Sequence, residues 1–331
     1  MSAFSRNARA APLRQRLQPV RQALRRSLPG FLLSRLPVTG EMMGPPPAVR
    51  HAVLVCSLPR AGSSWVGRIL GLGEDALYLR EPLTQSYLRH LGPGTPPFFE
   101  WEMCRDRHAY DRLAELAFRG IPRFPPTVVP YPRQWSLRRR RSKHLVVKEV
   151  NPLVARRFWD RFRPKLVLLV RHPVSVARSF HALGWTGDQL SGRFRAETLT
   201  AFHRQAPLPA ENRYWAQSGA FQAIAQNVVA EGLRDIDHLV VRYEDLCTDP
   251  VAEFERIFAY CELAFRPAIR DEVLRSSQAD PAYAPGRYDT VRNSRAMATR
   301  WKSEVAPNDI ADVRRGYFAC RPLFYTDAAD W

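Results

Sequence analysis

Two short stretches of this chain combine residue types that hold anions. The first is Val53–Trp65, VLVCSLPRAGSSW, where apolar residues run into a proline, an arginine, a glycine and two serines. A buried strand turning sharply into a helix leaves backbone N–H groups pointing into the turn. Arg60, Ser63 and Ser64 add donors there beside Ala61 and Gly62. The second is Lys165–Ser179, KLVLLVRHPVSVARS, a strand that ends in Arg171 and a helix that presents Ser179. The planar fork of Arg171 suits a phosphate held by two bonds. Ligands of open α/β sheets sit beyond the carboxyl ends of the strands, so both stretches would serve one crevice. One nucleotide with two separate phosphate positions accounts for both. The GK[ST] ending of a Walker A loop is absent, and with it the lysine that reaches the outer phosphates of ATP.

Two carboxylates stand at strand ends and could take a proton. Glu81 precedes Pro82, which is expected to hold its backbone extended. Glu149, in KEVNP, follows Lys148, and the two read equally well as a plain ion pair.

The elements that must position these residues alternate. Strands are expected at 52–57, 76–79, 145–150, 166–170 and 238–242. Helices are expected from about Ser64, over 110–118 and 152–162, from about Val174, and over 212–233 and 250–262. Asp249 and Pro250 supply the cap and first residue of the last. Apolar, unalternating strands with helices between them predict an α/β fold, a parallel sheet covered on both faces. Residues 91–142 are rich in proline and read as an inserted lid.

Charge and cysteine usage narrow the function. The 331 residues carry a net charge of +18; residues 1–40 hold eight arginines and no acid, and 116–148 also lack acids. That balance favours anionic partners. Leu13, Leu17, Val20, Leu24 and Leu28 share one helical face in the basic arm 1–46, the pattern of a membrane-surface helix interrupted at Pro19. The five cysteines are scattered, with no metal-binding spacing, and Cys56 falls in a buried strand; this reads as a reduced, cytoplasmic protein. No run is long and apolar enough to span a bilayer, so any membrane contact would be peripheral. The Arg138–Arg141 run has only Trp135 nearby, which argues against nucleic acid as a partner.

At this point the chain resembles the sulfotransferases that use 3′-phosphoadenosine 5′-phosphosulfate (PAPS). PRAGSSW is similar to their 5′-phosphosulfate loop, and RHPVSVARS to their 3′-phosphate motif. ALYLREP (76–82) resembles an element of the carbohydrate branch, VVRYED (240–245) a superfamily strand end, and DTVRNSRAMATRW (289–301) the carbohydrate branch's RNS…W segment. The resemblance spans roughly 52–325 and implies a P-loop-like three-layer fold. It implies a PAPS-binding set of Arg60, Ala61, Gly62, Ser63, Ser64, Trp65, Arg171, Ser179, Tyr243 and Arg292, with Arg295 in reserve. Trp65 would stack on adenine unless it is a core residue, and Tyr243 would reach the adenine edge. Glu81 would be the base, with Glu149 as competitor, and Arg60 and Lys148 would act at the transferring group. Glu244 and Asp245 read as structural caps. No metal is implied, because arginines supply the positive charge. The acceptor would be a carbohydrate or glycolipid hydroxyl. The competing readings are a P-loop kinase and a catalytically inactive sulfotransferase-like binder.

Overall fold

A computed structural model describes residues 51–92, 97–135, 142–185, 192–203, 214–277 and 294–331. The arm 1–46, the Arg138–Arg141 run and Arg292 lie outside the described residues, as does the side chain of Arg295.

In chain order the elements are β1 (Ala52–Ser57), α1 (Ser63–Leu70), β2 (Ala76–Arg80), α2 (Pro82–Leu91), α3 (Arg107–Phe118) and β3 (His144–Glu149). There follow α4 (Ala155–Phe162), β4 (Lys165–Val170), α5 (Pro173–His181), α6 (Ala196–His203), α7 (Tyr214–Leu233) and β5 (His238–Arg242). The remainder is helical: α8 (Tyr243–Thr248), α9 (Pro250–Tyr260), α10 (Pro267–Ser277), α11 (Ser294–Thr299), α12 (Trp301–Glu304) and α13 (Pro307–Ala319). The expected strands all form, to within a residue. Pro152 begins a short 3-10 turn rather than α4, and α2, directly behind Glu81, went unforeseen.

All five strands are parallel, in the order β2-β3-β1-β4-β5. The chain crosses from β1 to β2 and β3 on one side and then to β4 and β5 on the other. β1 is therefore the point where the winding reverses, and crevices open there at the carboxyl ends. Register places those ends level: Arg80 is opposite Lys148, Cys56 opposite Glu149, Ser57 opposite Leu169 and Val170 opposite Arg242.

Alternate residues of each strand feed two cores, as a sheet covered on both faces requires. Leu54, Leu79, Val147 and Leu168 pack with Tyr110, Phe118, Phe158 and Leu233. Val53, Val55, Val146 and Val167 pack with Trp65, Ile69, Phe254 and Ile257. Part of the segment read as a lid contributes to the core. Phe99, Tyr110, Val128 and Trp135 are buried against one face of the sheet, and Phe98 is buried beside Phe180 and Phe221. Asp249 caps α9 by accepting from the Ala252 N–H (3.1 Å). All five cysteines are free and buried. Among the described residues no helix is long and apolar enough to cross a membrane.

Candidate active site

The loop after β1 is shaped by two left-handed residues, Arg60 at φ 69° and Gly62 at φ 98°. Gly62 is required for a second reason: a Cβ there would fall 2.4 Å from Cδ2 of Tyr243, whose ring supports the loop. The Ser57 hydroxyl donates to Ser63 Oγ (2.8 Å), closing the turn from below. Ala61 is buried. The N–H groups of Gly62, Ser63 and Ser64 find no acceptor among the described residues, which is how the open end of a helix presents itself to an anion. A non-glycine residue held at positive φ costs of order 1 kcal/mol or more, and such strain gathers at ligand clamps.

The two anion stretches meet here. Arg60 Nε donates to Ser179 Oγ at 2.8 Å, across the gap between the β1 loop and α5. Arg171 Nη1 donates to the Arg60 carbonyl at 3.0 Å, and Nη2 to the Met297 carbonyl at 3.4 Å. The Arg171 guanidinium lies 4.1 Å from the centre of the Tyr243 ring. Its Nε is buried without an acceptor among the described residues. A buried N–H of that kind is costly unless something accepts from it.

On the other side of β1, Lys148 is 1% exposed and its ammonium pairs with Glu81, not with Glu149. Adjacent strand residues point to opposite faces, so Lys148 and Glu149 were never placed to pair. Glu81 is not extended before its proline. It adopts φ 54°, ψ 47°, donates its N–H to the Lys148 carbonyl (2.6 Å) and opens α2. The left-handed conformation turns its carboxylate back onto β3. Burial pushes that carboxyl up, but the charge and hydrogen bond of Lys148, with Arg80 and Gln85, outweigh it. The net effect holds Glu81 below the usual carboxylate value of 4.5.

Glu149 has a different role. It is fully buried and accepts from the Leu83 N–H (2.7 Å), the Thr84 N–H (3.4 Å) and the Thr84 hydroxyl (2.7 Å). It thereby satisfies the open N–H groups at the start of α2. Burial, the largest influence, raises its carboxyl to about 7 against those donors.

Trp65 takes the core position of its two readings. It is buried, edge-on to Phe254 (5.3 Å), with Nε1 donating to Ser276 Oγ at 2.9 Å. Glu244 is structural as expected: it accepts from the His172 N–H (3.1 Å) and the Tyr325 hydroxyl (2.6 Å). The His172 ring, buried beside Arg171, stacks on Trp301 at 4.2 Å and meets Trp331 edge-on at 4.6 Å. These aromatic and acidic partners lock the backbone that carries Arg171. Sequence reading had named Glu244 and the segment ending in Trp301 but did not connect them to His172, because nothing local to RHP names residues so far along the chain.

The donor set fits a nucleotide carrying two separate anionic groups. One would lie on the β1 loop with Arg60, Ser63 and Ser64, the other at Arg171 and Ser179. A P-loop-like α/β protein with arginine- and serine-bearing loops at two strand ends and a Lys–Glu pair beside them is the class that fold and site define. Residues 163–267, which run from the start of β4 to the beginning of α10, match the Sulfotransferase family. The match agrees, over this segment, with the resemblance read from the motifs. Carbohydrate sulfotransferase 1 of mouse and of man are each 28% identical to it over 74 residues, 22% of this chain. The matched stretch spans only 18% of the length of those relatives. Among solved structures, the sulfotransferase domain of the curacin biosynthetic pathway overlays with a TM-score of 0.48 at 18% identity, covering 80% of this chain and 95% of that one. A mouse sulfotransferase complexed with PAP overlays with a TM-score of 0.39 at 14% identity, covering 90% and 93%.

Proposed function

We propose that this protein transfers the sulfuryl group of PAPS to an acceptor hydroxyl. The observation that carries the reading is the Arg60–Ser179 hydrogen bond together with the Arg171–Arg60 bond, which join two phosphate-binding motifs into one site. The loop amides and Arg60 would hold the 5′-phosphosulfate, and Arg171 with Ser179 the 3′-phosphate. Tyr243 supports both the loop and Arg171. Arg292 remains the proposed additional phosphate contact. Trp65 would need to turn out of its core position to stack on adenine.

Transfer forms a bond from the acceptor oxygen to sulfur and breaks the bond from sulfur to the phosphate oxygen. The acceptor proton passes to a carboxylate, and the charge left on the phosphate is met by Arg60 and the loop amides. Glu81 is the base in this reading. It is ionised at neutral pH, partly exposed, and attached to Lys148, which would also steady the moving sulfonate. Glu149 is sealed among three donors and has no route to an acceptor. A carbohydrate or glycolipid acceptor is supported by the Glu-Pro and RNS motifs and by the similarity to carbohydrate sulfotransferase 1. A cytoplasmic setting, with membrane contact only through the basic arm, stays part of the proposal.

Calorimetry with 3′,5′-adenosine bisphosphate (PAP) against ATP plus Mg²⁺ tests the reading. PAP should bind more tightly, since the loop lacks the lysine an ATP site needs. Equal or stronger ATP binding would favour the kinase-like alternative and overturn it.

A further inference from the structure

Outside the two motifs, Arg193 is buried with no carboxylate paired to it among the described residues. Arg193 is 5% exposed, yet its Nε and Nη1 have no acceptor among the described residues. Its guanidinium lies 4.4 Å from the centre of the Phe98 ring, whose quadrupole attracts a cation but accepts none of its in-plane hydrogen bonds. Burial alone lowers it to about 10, with no carboxylate opposing the shift. Buried charges are as a rule paired, and an unpaired one costs several kcal/mol. By contrast Glu100, the buried acid nearest along this contact, is already engaged. It accepts from the Arg195 N–H (2.6 Å) and the Thr198 hydroxyl (2.8 Å).

The position of Arg193 is as informative as its lack of a partner. Its carbonyl accepts from the Glu100 N–H (3.0 Å), which fixes it beside the 98–100 segment. That segment is tied to the end of β3: Asn151 accepts from the Phe99 N–H (3.2 Å) and donates to the Phe99 carbonyl (3.1 Å). β3 ends in Lys148 and Glu149, so a short chain of bonds links Arg193 to the strand end that holds the Lys148–Glu81 pair. Phe98 itself packs in one cluster with Leu58 of the β1 loop and Phe180, the neighbour of Ser179. Arg193 is thus tied through Glu100, Phe99 and Asn151 to the segment after β3, and through Phe98 to residues beside the β1 loop and Ser179.

We propose that Arg193 anchors an oxyanion of the acceptor, a carboxylate or sulfate ester on an acidic saccharide, and so selects charged over neutral glycans. The inference rests on the sulfotransferase reading for the word acceptor, but its charge recognition can be measured apart from that reading.

The experiment compares wild type, Arg193→Lys and Arg193→Met by calorimetry. Three probes are titrated with and without saturating PAP: unsulfated chondroitin tetrasaccharide, which carries glucuronate carboxylates, neutral chitotetraose, and inorganic phosphate. Wild type should prefer the acidic tetrasaccharide. Arg193→Met should weaken it roughly 10- to 100-fold, the worth of a charge-assisted hydrogen bond, and leave PAP affinity unchanged. Arg193→Lys should recover part of the loss. Because the charge is unpaired, Arg193→Met should also melt no lower than wild type. A wild type without charge preference, or a preference that survives Arg193→Met, overturns the proposal. So does a lowered melting temperature in Arg193→Met, which would mark a structural arginine, and so does inorganic phosphate protected as well as the tetrasaccharide. Failure of the wild type to bind PAP would sink the sulfotransferase reading instead, and the titrations without PAP still decide on Arg193.

Discussion

The two sides of β1 are built to opposite electrical designs. Toward β4, the site offers donors without an acceptor among the described residues: the loop amides and the Nε of Arg171. Toward β3 and β2 it offers charges already matched, with Glu81 on Lys148 and Glu149 on the start of α2. Anion binding gains from donors preorganised before the ligand arrives, since nothing must be broken to receive it. A base beside a cation is a different device. In the proposed reading Lys148 keeps Glu81 ionised and aimed, at the cost of basicity.

The sharpest way to break this comparison is Glu81→Gln. Turnover should fall about 10²–10⁴-fold, the usual worth of a positioned base, while PAP affinity is retained. The acid limb of kcat/KM provides a second readout. A depressed carboxyl puts that limb below 4.5 if Glu81 is the base, whereas Glu149 would put it near 7. An active Glu81→Gln with a limb near 7 would reverse the two carboxylates' roles.

Arg171→Ala tests the opposite side. PAP binding should weaken about 100-fold or more by calorimetry, because two or more charge-assisted bonds are lost. Glu149→Gln should leave kcat within a few-fold but cost about 2 kcal/mol in denaturant unfolding, since one amide cannot replace a carboxylate shared by three donors. Equal kinetic damage from both Glu81→Gln and Glu149→Gln would erase the distinction between base and cap.

The smallest effect concerns the support behind Arg171. Burial, with help from Lys302, Arg242 and Arg171, lowers His172 from 6.5 to about 3. The unfolded chain therefore takes up this proton first. Stability is complete above about pH 6.5 and is lost as pH falls toward 3, by about 2 kcal/mol at pH 5. His172→Phe keeps a ring on Trp301 and should be flatter by that amount in pH-dependent thermal melts. Parallel curves for the two proteins would show that the histidine stays neutral in both states.

Much of this was legible along the chain. Unalternating apolar strands announced a sheet buried on both faces, and proline, glycine and serine after β1 announced a sharp turn into a helix with open N–H groups. The Asp249 cap and the structural role of Glu244 were also legible. Less legible were the directions of side chains. Lys148 and Glu149 are neighbours in sequence, and strand alternation, a signal present in the sequence, already argued against their pairing. The left-handed turn at Glu81 had no such signal, because Glu before Pro is ordinarily extended.

By itself the sequence determined which elements form and which residue types gather at their carboxyl ends, because local periodicity and turn chemistry act over a few residues. Only the tertiary structure decided that Arg60 reaches Ser179, that Trp65 lies in the core, that Lys148 takes Glu81, and that Nε and Nη1 of Arg193 are buried without an acceptor among the described residues. Those outcomes depend on the register of strands and the packing of helices far apart in the chain. There burial and distance, rather than residue type, fix what a charge meets.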